Sequence, residues 1–290
     1  MSMAKDPIQS VFQKLERDLV KVCSKQNAES VHRFRSAARR LQTALEELLP
    51  AQGRHHRKLL KALSRIRKRA GKVRDLDVQL AALRSLKIPQ EPRRKSQLMN
   101  SLIELRVEHE KKLRKTLNRE AVRDLRKRLK RAANDVKGAE VGDALAVARK
   151  MLGHAPQFDA RGTQTEELLH HYRIIGKRAR YIAEVAPQST EATELITQLK
   201  LMQDAAGDWH DWFTLTRTAA KRLGDVHESS LVAALHNVTG AKFRSAVTAL
   251  SAMRTGYVAS KSASKAAGPA RQGTQRQPRK TSPPSAATAA

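Results

Sequence analysis

At 290 residues the chain is long enough to bury a sizeable core, and two units of similar size are expected rather than one continuous core. Its 57 Lys and Arg against 28 Asp and Glu give a formal net charge of +29 and a pI near 11.0, so a polyanion (nucleic acid, polyphosphate or an anionic membrane surface) is the expected partner. Hydrophobic residues at 40% and aromatic residues at 3% argue for a Leu/Ala-rich helical chain, and against a strand-rich fold or a surface that stacks many bases.

The N-terminus lacks the apolar stretch of a secretory signal, and no run approaches the roughly 20 apolar residues of a membrane span. The lone cysteine, Cys23, excludes an intramolecular disulfide and suits a reducing cytoplasm. Its apolar helical surroundings predict a core residue rather than a nucleophile.

Helical periodicity then runs along the chain between breakers at Pro50 and Gly53, Pro89 and Pro92, Gly138 and Gly142, Gly153 and Pro156, Pro187, and Gly224. Pro50 is expected to close one helix. Thr163 with Glu166 three residues later reads as a capping box, and with Pro187 as a stop it frames a helix of about 22 residues. From Ser260 onward the chain turns Ser/Ala/Gly/Pro/Gln-rich, without an acid or a periodicity, and reads as a disordered basic tail over 259–290. Lys261, Lys265, Arg271, Arg276, Arg279 and Lys280 give that tail six positive charges and leave +23 on the body.

Two stretches of the body are related. VHRFRSAARRLQTALEEL from Val31 aligns with LHHYRIIGKRARYIAEVA from Leu169, pairing His32 with His170, Arg35 with Arg173, Arg39 with Lys177, Arg40 with Arg178 and Glu46 with Glu184. Downstream, LSRIRKRAGKVRDLDV from Leu63 aligns with LKLMQDAAGDWHDWFT from Leu199, pairing Gly71 with Gly207 and Asp75 with Asp211. The offsets are 138 and 136 residues, and two motifs in the same order at nearly one offset point to internal duplication.

At about 100° per residue, His32, Arg35, Arg39 and Glu46 fall within roughly 60° of one another, opposite Phe34, Ala37, Leu41, Leu45 and Leu48. His170, Arg173, Lys177, Arg180 and Glu184 repeat this cationic stripe opposite Tyr172, Ala179 and Ala183. A third stripe of Arg54, Lys58, Lys61, Arg65, Lys68, Arg69 and Lys72 has no equally basic counterpart in the second copy, where Met202, Gln203 and Asp204 stand. Like charges so spaced destabilise an isolated helix by about 0.2–0.5 kcal/mol per pair, so the array predicts a counter-anion and binding weighted toward the N-terminal half. Replacing Lys61, Arg65, Lys68 and Lys72 is accordingly expected to weaken binding more than replacing Lys177, Arg178 and Arg180. Arg offers bidentate charge-assisted hydrogen bonds to phosphate, Lys adds mobile charge, and His adds a directional donor.

The same residues have plainer readings. His32 and His170 could instead be structural, bonded to Glu46, Glu184 or backbone. Glu46 and Glu184 would orient neighbouring cations or form ordinary surface pairs. Asp75 and Asp211 are expected to cap or turn a following helix rather than bind metal.

The motifs HxxRxxxRR at His32–Arg40, AGKVRDLDV at Ala70–Val78, HxxRxxxKRxRYxxE at His170–Glu184 and LMQDAAGDWHD at Leu201–Asp211, in this order, resemble the conserved histidine α-helical domain (CHAD) family over roughly residues 10 to 255. The resemblance implies two pseudo-symmetric helical bundles whose basic helices face a shared groove or pore, polyphosphate binding, and association with polyphosphate granules. The contacts it implies are His32, Arg35, Arg39 and Arg40; Arg69, Lys72 and Arg74; and His170, Arg173, Lys177, Arg178 and Arg180. His210 stands where the family pattern commonly has an uncharged residue, with Asp204 nearby, and is left out of the set.

Relatives of the family are often fused to a triphosphatase whose ExExK motif binds metal, and Glu108-His109-Glu110-Lys111-Lys112 matches that motif literally. On a strand its alternate side chains would share a face, but in a helical stretch Glu108 and Glu110 diverge by about 160°, so the match is read as accidental. His55-His56 and His170-His171 diverge in the same way, and no Gly-rich phosphate loop or Cys/His cluster stands out.

The sequence therefore predicts an all-α protein, with two antiparallel pseudo-symmetric bundles at about 7–137 and 141–258 forming a domain over 1–258, followed by the tail. It is expected to be cytoplasmic, on polyphosphate granules, and to act without catalysis, metal or cofactor. The site is expected to comprise the contacts above with Lys58, Lys61, Arg65 and Lys68. Inorganic polyphosphate is the expected partner, beside granule-associated proteins and nonspecific nucleic acid. The competing reading is a nucleic-acid-associated cationic helical protein.

Overall fold

Asp6 opens helix α1 (Pro7–Ser24) by accepting from the Ile8 and Gln9 amides. Asn27 caps α2 (Ala28–Glu47) in the same way, and α3 (Arg54–Ser85), α4 (Pro92–Thr116) and α5 (Arg119–Asp135) complete the first half. The second half consists of α6 (Ala144–Gly153), α7 (Glu166–Ala183), α8 (Thr190–Leu223) and α9 (Ser230–Ala266). The computed structural model describes residues 6–49, 53–88, 91–137, 142–156, 165–224 and 226–266, with side chains as far as residue 255. No strand occurs among the described residues. The expected breakers Pro50, Pro89 and Gly138 lie outside them.

The duplication is visible in the packing. Helix α1 packs on α2, α2 on α3 and α3 on α4, and α6 on α7, α7 on α8 and α8 on α9 repeat the series. The halves meet through equivalent helices, α2 on α7 and α3 on α8, as in a two-fold interface. One departure is that α4 stops at Leu117, Asn118 caps α5, and α5 turns onto α1 and α3, whereas α9 runs 37 residues without a break.

The spacing of buried residues explains the long central helices. Leu59, Leu63, Ile66, Ala70, Val73, Leu76, Leu80 and Leu83 advance along α3 by threes and fours. Ala192, Leu195, Leu199, Met202, Ala206 and Trp209 do so along α8. The expected apolar faces of α2 and α7 are buried, from Phe34 to Leu48 and from Tyr172 to Ala183.

The expectation of separate cores fails. One hydrophobic cluster takes Leu41 and Leu63 from the first half together with Tyr172 and Trp209 from the second. A smaller cluster joins the ends of α3 and α8 to α4 and α9. Because α2 and α3 pack on their own repeats, each half covers part of the other's apolar surface.

Three boundaries also shift. Thr165, not Thr163, caps α7 by accepting from the Leu168 amide, so that helix has 18 residues and ends at Ala183, ahead of Pro187. Thr163 lies outside the described residues. Helix α9 continues to Ala266, so the expected tail boundary at 258 falls inside a helix, and residues 267–290 lie outside the described set. Cys23 is partly buried against the core as expected, and burial pushes its thiol pKa up.

Candidate anion-binding site

The polar stripes of α2 and α7 face each other, and α3 and α8 close a cavity of about 450 Å³ between them. Helix α2 contributes His32, Arg35 and Arg39, and α7 contributes their repeats His170, Arg173 and Lys177. Arg74 and Asp75 enter from α3, and His210 and Asp211 from α8. The Arg35 guanidinium passes Gly71, where a Cβ would meet it at an ordinary contact distance of 3.8 Å.

Most of this positive charge has no counter-ion among the described residues. Arg35 pairs with Asp75 at 3.2 Å. Arg39, Arg74, Arg173 and Lys177 have no carboxylate partner within ion-pair distance among the described residues. Burial, then the neighbouring Arg173 and Arg39, lower the Lys177 ammonium from 10.5 to about 7. Burial also lowers Arg173 and Arg39, and the Arg173 Nε has no hydrogen-bond partner.

The histidines respond similarly. His32 and His170 are lowered, first by burial and then by Arg74 and Arg173 respectively. His210 falls to about 3 through burial and then Arg173, and its ring lies 5.2 Å from that of His170. It therefore belongs to the cavity wall as a neutral imidazole. Burial raises Asp211 in spite of Arg173 and Lys177. Cations that hold one another's pKa down would be relieved by an anion placed among them.

A second hollow of about 750 Å³ adjoins the first and shares His32, Ser36, Lys177, Tyr181, Gly207 and Asp211 with it. Its remaining wall sets Asp18, Glu29, Asp204 and Asp208 beside Lys14, Arg33, Arg40 and Arg180, so Lys177 stands between a cationic space and one of mixed charge.

Duplicated residues also clasp the halves together. Arg40 at the α2 end bonds Glu184 at 2.7 Å, and its repeat Arg178 pairs with Glu47 and, at 3.7 Å, with Glu46, the repeat of Glu184. Arg180 lies 3.5 Å from Glu184. Arg40 and Arg180 sit over the Tyr181 ring at 5.0 and 5.7 Å from its centroid. These contacts fit both readings of Glu46 and Glu184, as groups that orient cations or as ordinary surface pairs.

The sequence model of the CHAD domain matches residues 8–220. The chain belongs to the CHAD family. Its fold is similar to the crystal structure of the CHAD domain from the plant Ricinus communis, with a TM-score of 0.64, 19% identity, and coverage of 87% of this chain and 89% of that one. It is also similar to PptA from Streptomyces chartreusis, with a TM-score of 0.59, 13% identity, and coverage of 87% and 96%. No curated protein sequence matches the chain.

Of the expected CHAD contacts, the structure gathers His32, Arg35, Arg39, Arg74, His170, Arg173 and Lys177 around the cavity. Arg40, Arg178 and Arg180 are instead engaged by carboxylates. Lys58, Lys61, Arg65, Lys68, Arg69 and Lys72 are exposed and line neither hollow. The residues of α3 that line the cavity, Arg74, Asp75, Val78 and Gln79, all lie beyond that stripe along the helix.

Asp75 and Asp211 lie within α3 and α8, not at helix ends, which corrects the expectation that they cap or turn. Sequence reasoning left out His210 and Gln79, which line the cavity. Arg67, one turn before Gly71, is lowered by burial and then by Arg39 but does not line it. The ExExK match lies on α4, where Glu108 pairs with Lys112 and Glu110 with Arg106 and Arg114 as ordinary turns of a helix. His55 bonds Asp135 and His56 the Ala132 carbonyl, so that pair ties α3 to α5.

Proposed function

We propose that this CHAD protein binds inorganic polyphosphate in the cavity between α2, α3, α7 and α8, and so associates with polyphosphate granules without turning the polymer over. The observation that carries this reading is the convergence of Arg39, Arg74, Arg173 and Lys177 without carboxylate partners among the described residues. Phosphoryl oxygens would replace the missing counter-ions with charge-assisted hydrogen bonds and relieve the mutual repulsion. Arg35 would join by exchanging Asp75 for phosphate.

The cavity's rings argue against a base-stacking ligand. Tyr181 carries Arg40 and Arg180 over its ring, Trp209 is a core residue, and His170 lies against His210. A volume of about 450 Å³ holds a short run of phosphoryl groups, and a longer polymer would continue onto the basic flank of α3.

The test is fluorescence anisotropy with labelled long-chain polyphosphate, competed by unlabelled polyphosphate, orthophosphate, DNA and RNA at matched phosphate concentration. Polyphosphate is expected to compete best, with affinity falling as salt rises, by analogy with counterion release from nucleic acid. Equal competition by orthophosphate or nucleic acid would overturn the proposal. Incubating labelled polyphosphate with the protein and Mg²⁺ is expected to leave chain length unchanged.

A further inference from the structure

We propose that a groove between α1 and α5, apart from the central cavity, docks an acidic amphipathic helix of another protein. The groove holds about 600 Å³, with Phe12, Val122 and Leu129 among its apolar lining and Arg119, Arg123, Lys127 and Lys130 along its basic side. None of these residues lines the central cavity. The groove exists because the chain breaks at Leu117 and Asn118 and sets α5 against α1.

Its shape suits a helix. A second hollow of about 590 Å³ continues it along α1, sharing Gln13, Glu16 and Arg126 and reaching Val20, a large apolar side chain that is 48% exposed. Gln9, Gln13, Glu16 and Val20 follow one another at helical spacing, so the trough spans about 17 Å, or roughly three turns of a docked helix. A third helix laid between two packed helices is a recurrent mode of recognition.

The charge selects an acidic occupant. Arg119, Arg123, Lys127 and Lys130 have no carboxylate within ion-pair distance among the described residues, and the groove's one acid, Glu16, is held by Arg126 at 3.0 Å. On the outer flank of α5, Arg128 is neutralised by Asp124 at 2.6 Å. The apolar floor discriminates further. A bare phosphate chain gains nothing from the accessible parts of Val122 and Val20, whereas an amphipathic helix buries apolar surface there while its carboxylates meet the basic side.

The chain does not supply the occupant. Residues 267–290 contain no acid, and no other segment outside the described residues carries more than one. A second copy, also at +29, would be repelled.

The test uses the full chain and a labelled helical peptide of about 18 residues, with Leu at i, i+3, i+4 and i+7 and Glu on the opposite face. Its controls are a peptide of the same composition with scrambled Leu positions, and long-chain polyphosphate as competitor. The patterned peptide is expected to bind about tenfold or more tightly than the scrambled one. R123Q/K127Q/K130Q and V20S/V122S should each weaken it by about fivefold or more, while circular dichroism stays close to the parent in both and polyphosphate affinity stays close to it in the charge-neutral V20S/V122S.

Absence of peptide binding, equal binding of the scrambled peptide, or insensitivity to both variants would overturn the proposal. Loss of polyphosphate affinity in V20S/V122S would assign the groove to the polymer and overturn it too. Failure of the central polyphosphate site alone would leave these readouts unchanged.

Discussion

Residues 7–137 hold 36 Lys and Arg against 14 Asp and Glu, whereas residues 138–258 hold 14 against 13. Charge counting therefore assigns anion binding to the first half. Burial distributes the task differently. Arg173 and Lys177 come from the nearly neutral half, and they are the repeats of Arg35, which has Asp75, and of Arg39, which is less buried than Lys177. A cation solvated by water on the outside of α3 gains little from a phosphate, while one half-buried among other cations gains a partner at smaller further cost. The first half supplies long-range attraction, and the second supplies partly desolvated contacts.

Substitution at the two sets of cations gives the largest expected effect. R173M/K177M should lower polyphosphate affinity by about 1.5–3 kcal/mol per contact, roughly tenfold or more for each, in the anisotropy measurement. K61Q/R65Q/K68Q/K72Q should cost about fivefold in total and act mainly by flattening the salt dependence. The opposite ranking, which the density of the α3 stripe suggests, would return the site to the surface of the first half.

A subtler distinction is proton uptake. Free Lys177, facing Arg173, Arg39, Arg35 and Asp211, titrates near 7, and a bound anion would raise it. Binding above that pH must then take up a proton, so affinity should fall as pH rises beyond about 7 and be insensitive to this group below it. K177R, which stays charged, should remove the pH slope while retaining affinity. A parent protein with a flat profile from about pH 6 to 9 would show that Lys177 is not at the ligand.

The smallest effect expected is on stability. A lysine lowered from 10.5 to about 7 on folding disfavours the folded state below pH 7, and the penalty is relieved as pH rises from 7 to 10.5, where the unfolded chain holds the extra proton. K177M should therefore raise the Tm of the ligand-free protein near pH 6 by about 2 °C or more and flatten its rise with pH. No counterpart is expected for K61M on the exposed stripe.

Much of the fold was legible because it rests on repetition and period. The 138-residue offset of the histidine motifs matches the pairing of α2 with α7, and the faces from Phe34 and Tyr172 are buried as their spacing requires. Cap positions were less legible, since Thr163 and Thr165 both precede a Glu-rich first turn and only backbone geometry selects the second. At the site, helical phase identified His32, Arg35 and Arg39 with their repeats. It could not separate Arg39 from Arg40, or Lys177 from Arg178, because adjacent residues become ligand contact or structural clasp according to what the opposite helix presents.

The sequence by itself determined an all-α chain of two related halves, a strongly cationic body, and membership of the CHAD family, since composition, period and motif order are local properties. Only the tertiary structure decided that the halves share a core, that Glu46, Glu47 and Glu184 take Arg40 and Arg178 out of play, and that the α3 stripe lies outside the cavity. Those outcomes depend on which helices cross and at what rotation. That rotation decides whether a given charge meets water, a carboxylate or another cation.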